Sequence, residues 1–188
     1  MNKSKIKPRI PPNIDPKKVK IIMICEALPV NKADYFYSSG DSLYVTNTLE
    51  AFDKAGIKVK NIDDVIKKRV YLTVAVKTPR KGLTISMEKI KEYSPVLEEE
   101  LSLFPNLKAI LLMGDAAIKA LNYISQRTTK AKVVPSGSTY RIRKGEFYFK
   151  GIRVFPSYLQ TGKNFLIEKS KRIMVAEDIK NAFKLLDN

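Results

Sequence analysis

The sequence predicts an α/β fold, a three-layer α/β/α sandwich around a central four-stranded parallel sheet. Three short continuous apolar runs, at residues 19–25 (VKIIMIC), 70–76 (VYLTVAV) and 107–113 (LKAILLM), mark strands buried on both faces. Residues 152–155 supply a fourth candidate. Stretches with helical apolar spacing separate these runs at the distance of βα units, which puts helices on both faces of a mostly parallel sheet. Such sheets bind ligands beyond the carboxyl ends of their strands. Four loops converge there, at residues 26–42, 77–86, 114–116 and 155–163.

Each element has a local reason. Residues 1–18 carry Pro8, Pro11, Pro12 and Pro16 among lysines. Proline fixes φ and removes a donor, so this stretch is expected as an extended basic arm, with residues 19–188 forming one domain. Glu26-Ala27-Leu28-Pro29 ends the first strand, and an aromatic patch, Tyr35-Phe36-Tyr37, follows. Leu43, Val45, Leu49, Phe52 and Ala55 then recur at helical spacing up to Gly56. After the second strand, Lys77 to Gly82 forms a basic loop. Residues 87–103 gather Ile90, Tyr93, Leu97 and Leu101 on one helical face. Gly114-Asp115 opens a helix over 116–123, with Asp115 as its expected N-cap. Residues 139–149 alternate around Lys144-Gly145, which predicts a hairpin. A last helix is expected over 164–186, with Phe165, Ile173, Val175, Ile179, Phe183 and Leu186 on its apolar side.

Composition limits the function. A length of 188 residues, 44% hydrophobic, is enough for one domain with a real core. The 35 Lys+Arg against 19 Asp+Glu give a net charge of +16. That excess suits a polyanion, because each cation that replaces a phosphate counterion adds salt-sensitive affinity. DNA is the expected partner; the plainer reading is a surface selected for solubility. The charge is segregated: residues 126–172 hold twelve basic residues and two acidic ones, a net of +10.

Cys25 is the only cysteine and there is no histidine. A disulfide within the chain, a Cys/His zinc site, an iron–sulfur cluster and Ser-His-Asp or Cys-His nucleophile pairs are thereby excluded. No cofactor and no metal are expected. Neither nucleotide-binding glycine fingerprint occurs. Without a signal-peptide pattern or a membrane-length apolar run, a cytoplasmic monomer with no membrane partner is expected.

The strand-end loops hold the candidate chemistry. Glu26 either orients a water and stabilises a cation or is a plain loop carboxylate. One ring of Tyr35-Phe36-Tyr37 is expected to stack on a base, while another belongs to the core. Pro156-Ser157 offers a rigid turn with backbone donors and a hydroxyl. Leu159 either wedges into a duplex that has lost a base or packs under the last helix.

Together these motifs resemble the uracil-DNA glycosylase superfamily, and within it the thermophile-type four-cysteine families. Ile24-Cys25-Glu26-Ala27-Leu28-Pro29 is similar to the family's G-E-A-P-G, and Tyr35 to Gly40 stands where the family has P-F-V-G-R-S-G. Residues 70–79 resemble T-N-V-V-K-C-R-P, Leu112 to Ala117 resembles V-x-L-G-x-x-A, and Phe155-Pro156-Ser157-Tyr158-Leu159 resembles H-P-S-Y-L-L-R. The resemblance runs from about Lys18 to Leu186. It implies a parallel sheet between helices, base flipping, and hydrolysis of the N-glycosidic bond of uracil or another deaminated base in DNA.

On the matching positions it implies catalytic roles for Glu26 and Ser157. A base pocket would comprise Ala27, Tyr35, Phe36, Val74 and Phe155, and DNA contacts would come from Lys77, Arg80, Lys81, Pro156, Tyr158, Leu159 and Lys163. The chain departs from the pattern at chemically important places. Phe155 replaces the motif histidine, Val74 the asparagine, and Thr161 the closing arginine. Thr78 and Tyr93 stand where cluster-ligating cysteines would be. The expectation is a slow or altered glycosylase; the alternative is a non-catalytic nucleic-acid-binding relative that keeps the fold.

Overall fold

The computed structural model describes residues 7–38, 42–80, 82 and 84–186. β1 (Ile21–Leu28) pairs in parallel with β2 (Val70–Pro79) on one side and β3 (Ala109–Met113) on the other. β5 (Ile152–Ser157) pairs in parallel with β3, and β4 (Phe147–Phe149) adds an antiparallel strand outside it. The order is β2-β1-β3-β5-β4, so the expected four parallel strands gain a short fifth. Six helices complete the described chain: α1 (Leu43–Lys54), α2 (Ile62–Lys67), α3 (Met87–Ser102), α4 (Asp115–Thr129), α5 (Thr139–Ile142) and α6 (Lys169–Phe183).

Strand side chains alternate between faces, and both faces here are apolar. Ile22, Ile24, Tyr71, Ala75, Ile110 and Leu112 pack with Ile90 and Leu97 of α3 and Leu121 and Ile124 of α4. Met23, Cys25, Leu72, Val74, Leu111, Met113 and Phe155 pack with Phe52 of α1 and Val175 and Ile179 of α6. Each fully buried Leu, Ile or Val contributes roughly 1.5–3 kcal/mol, so a polar residue on either face would be costly. That explains the apolar runs in the sequence; Thr73, a buried polar residue within the β2 run, is satisfied by donating to Glu100 Oε1 at 2.8 Å.

The strands run further than expected. β1 continues through Glu26 to Leu28, and β5 includes Phe155, Pro156 and Ser157, so these residues are strand termini and not loop. Pro156 is tolerated for a specific reason. Along β5 the odd-numbered residues bond β3, as in Arg153 N–H to the Lys108 carbonyl. Pro156 therefore faces outward, and β4 pairs only as far as Val154. The missing N–H falls where no strand remains to receive it.

The expected hairpin at 139–149 is not formed. Residues 139–142 are the helical turn α5, and the hairpin is β4–β5, with Phe149 opposite Ile152. Its two loop residues, Lys150 and Gly151, have φ of 50° and 79°, the consecutive positive values of a tight two-residue turn. Asp115 does not cap α4; Gly114 occupies that position. The last helix begins at Lys169, after a 3-10 turn at Lys163–Phe165. α2, which lacks a long apolar repeat, starts on the side chain of Asn61, which accepts from Asp64 N–H. The described part of the N-terminal arm is pinned to the body: Ile14 is buried, and the Lys17 carbonyl accepts from Asn106.

Candidate active site

An open cleft of ≈ 1220 Å³ lies at the carboxyl ends of the parallel strands. β1 contributes Glu26, Ala27 and Leu28 to its wall, the segment after β2 gives Arg80, and the β3–α4 junction gives Gly114 and Asp115. Ser157 to Leu159 and Thr161 to Phe165 close the far side.

Glu26 is held from two sides in this cleft. Its even position on β1 directs it to the α4 face of the sheet, where Ala116 N–H donates to Oε1 at 3.2 Å. An anion at a helix N-terminus is favoured by the unpaired N–H groups and the helix dipole. On the other side Arg80 Nη1 stands 3.6 Å from Oε2. Gly114 makes the arrangement sterically feasible. It has φ 104° and ψ 170°, a region essentially reserved for glycine. A Cβ added there would stand 2.7 Å from Glu26 Oε1 and 3.0 Å from its Cδ.

Ser157 is held from the opposite face. Its carbonyl accepts from Gly114 N–H at 3.1 Å, which ties the ends of β5 and β3 together. Its hydroxyl donates to Asp178 Oδ2 of α6 at 2.6 Å. Asp178 also accepts from Arg143 Nε at 3.1 Å and Nη2 at 2.7 Å. Burial pushes the Asp178 carboxyl up to about 6, against the hydrogen bonds from Arg143 and Ser157. The Ser157 proton is thus committed to a buried carboxylate, and the hydroxyl is not a donor to a ligand. Glu26 and Ser157 both line the cleft, but their partners lie on opposite faces of the sheet.

The closing loop rests on buried polar groups that sequence reasoning missed. Asn47 of α1, fully buried, donates to the carbonyls of Gln160 at 2.8 Å and Gly162 at 3.3 Å. Gln160 is also fully buried and donates to Cys25 Sγ at 3.3 Å. Burial, first of all, pushes the Cys25 thiol up to about 12, so it is inert as a nucleophile. Tyr44 puts an aromatic ring on the cleft wall and anchors it by donating to the Ala27 carbonyl at 2.8 Å. No local signal marked Asn47 and Tyr44, because α1 (LYVTNTLEAFDK) also carries Thr46, Thr48, Glu50, Asp53 and Lys54, and only the fold decides which polar residues are buried.

Several expected site residues have other work. Phe36 is core, and Tyr35 and Tyr37 pack around it. The Tyr37 hydroxyl donates to the Leu72 carbonyl at 2.9 Å and accepts from Leu72 N–H at 2.8 Å, so it satisfies the open edge of β2. The aromatic patch covers a sheet edge, and none of its rings lines the cleft. Val74 is fully buried among the α1 and α6 side chains. Phe155 is 7% exposed, with the Arg153 guanidinium 4.7 Å from its ring centre, and Pro156 is buried in β5. Lys77 cannot reach a phosphate, because its odd position on β2 points it under α3. There its ammonium donates to Glu100 Oε2 at 2.5 Å and Thr73 Oγ1 at 2.7 Å. Glu26, Ala27, Arg80, Tyr158, Leu159 and Lys163 do line the cleft, and Lys81 lies outside the described residues.

The residues do not fit a four-thiolate cluster. Cys25 is the sole thiol and is sealed in the core. Among the described residues no group of three metal-ligating side chains exists, and no helix is long and apolar enough to cross a membrane. No curated protein matches the chain. Its strand order, its strand-end cleft and the position of Glu26 are nevertheless accompanied by a family match. The sequence fits the model of the Uracil DNA glycosylase superfamily over residues 11–172, and the chain belongs to that superfamily.

Proposed function

We propose that the protein hydrolyses the N-glycosidic bond of uracil or another deaminated base in DNA, after the nucleotide is flipped into the cleft. The observation that carries this reading is the fixed carboxylate of Glu26 at the mouth of a strand-end cleft, in a chain of net charge +16. Glycosidic cleavage builds positive charge on the sugar and negative charge on the base. As the base leaves with the bonding electron pair, a water adds to the anomeric carbon and loses a proton. Glu26, oriented by Ala116 N–H and Arg80, is suited to face the sugar, stabilise its charge and take that proton.

The base anion needs donors. Phe155 has none, and the Ser157 hydroxyl is occupied by Asp178. The N–H groups of Tyr158 and Leu159 have no acceptor among the described residues and fall to this role. A missing side-chain donor costs about 3 kcal/mol, or roughly 10²–10³-fold in rate, so slow turnover is expected. The burial of Phe155 under Arg153 equally favours a second reading, a nucleic-acid-binding relative without catalysis. Incubation with oligonucleotides containing uracil, hypoxanthine or xanthine, at excess protein, separates the two. Alkali-labile abasic product that disappears in Glu26→Ala supports hydrolysis; binding without product supports the second reading.

A further inference from the structure

The positive charge is not in the cleft. Its described lining has Glu26, Asp34, Asp115 and Glu168 against Arg80, Lys163 and Lys171. Five of the twelve basic residues of the 126–172 segment lie instead on the unit from α5 to β5, and two tyrosines stand out of it. Tyr140 is 57% exposed and Tyr148 56%. A lone exposed tyrosine needs no explanation. Here each ring has a cation beside it: Lys144 Nζ lies 5.4 Å from the Tyr140 centroid, and Arg153 Cζ, which also sits over Phe155, lies 5.4 Å from that of Tyr148.

The unit is rigidly mounted. Arg143 reaches α6 through Asp178, Glu177 and the Met174 carbonyl. Arg153 donates to the carbonyls of Gly145, Phe147 and Val154, which fixes β4, the strand that carries Tyr148. The unit also adjoins the cleft. Thr139, next to Tyr140, lines it, and Tyr148 pairs with Arg153, four residues before Ser157 along β5. At 3.3 Å per residue that is about 13 Å from the cleft wall. β4 is the outer strand, so nothing in the sheet covers it.

We propose that this face is a platform for unpaired DNA. Bases of the strand leaving the cleft stack on Tyr140 and then Tyr148, and the phosphates meet Arg141, Lys144 and Lys150. Exposed rings, interleaved cations and a fixed backbone are what sequence-tolerant single-strand binding requires. Arg141, Lys144 and Lys150 make no ion pair among the described residues, and Glu146 is the one acidic residue between positions 139 and 153. The proposal rests on the nucleic-acid reading of the cleft, but not on catalysis.

The test is fluorescence anisotropy at fixed salt with three probes: a short oligonucleotide that fills only the cleft, a longer single strand, and a duplex. Tyr140→Ala and Tyr148→Ala are each expected to weaken binding of the long single strand about 5- to 150-fold, the range for one lost stacked base. Tyr→Phe at either site keeps the ring and restores affinity. The short probe and the duplex should change by less than about 2-fold, a shift below the cost of one stacked base. Wild-type affinity of both Ala variants for the long strand, or an equal loss on the duplex, overturns the platform. Cleavage is read separately. Loss of single-strand binding in a chain that yields no abasic product upholds the platform and sinks hydrolysis; Glu26-dependent cleavage with normal binding by the Ala variants does the reverse.

Discussion

Gly114→Ala is the substitution through which the geometry around Glu26 is most directly tested. The new Cβ would enter within 2.7 Å of Glu26 Oε1 and 3.0 Å of Cδ and Cγ. Either the carboxylate leaves the α4 N-terminus or the backbone moves. An L-residue at φ 104° costs about 1–3 kcal/mol by itself, and loss of the Ala116 N–H bond to Glu26 adds roughly 1–2 kcal/mol. For a chain of this length the sum corresponds to a fall in Tm of roughly 5–15 °C. If Glu26 is catalytic, displacing it by about 1 Å should lower single-turnover cleavage near 10²-fold. Urea denaturation of the double-mutant cycle with Glu26→Ala isolates the contact. Once the Glu26 side chain is gone, Gly114→Ala should cost only the backbone strain, leaving a coupling of about 1–2 kcal/mol between neighbours. Additivity within about 0.5 kcal/mol would refute the claim that Gly114 exists to admit Glu26.

Three further outcomes follow from buried groups. Glu100→Gln removes the charge partner of the buried Lys77 ammonium and should destabilise by about 3–5 kcal/mol in urea titration, while Lys77→Met combined with Glu100→Leu recovers only part of that, because the buried Tyr71 and Thr73 hydroxyls lose their acceptor on Glu100. The Asp178 carboxyl, raised to about 6, binds its proton more tightly folded than unfolded. Its contribution to stability is therefore greatest below about 4 and declines as pH rises toward about 6. Asp178→Asn should flatten that part of a Tm-versus-pH curve, and an unchanged slope would contradict the assignment. Cys25, with its thiol near 12 and no exposure, should resist alkylation in the native state and react stoichiometrically in denaturant; rapid native labelling would show that the Gln160 contact is open.

The sheet was legible because its strands bury both faces. Uninterrupted runs such as IIMIC and AILLM have few other uses at that length, and the helices between them leave only parallel connections. Glu26 was legible from its place just after such a run. What stayed hidden depended on parity and on distant partners. Parity sends Lys77 under α3 to Glu100 and turns Ser157 toward Asp178, a residue 21 positions away. The aromatic patch has the composition of a base platform, but an open β2 edge needed a hydroxyl, and Tyr37 supplies it. The hairpin was misplaced because Lys144-Gly145 and Lys150-Gly151 look alike in one dimension. Only the second pair has two positive φ angles and a partner strand on each side.

Single-turnover incubation of the protein with a uracil-containing oligonucleotide, beside Glu26→Ala, tests the central claim most directly. Slow formation of an abasic site by the wild type, lost in Glu26→Ala while binding persists, is the result predicted. Absence of abasic product at every protein excess and with every deaminated base, or product formed equally by Glu26→Ala, would contradict it.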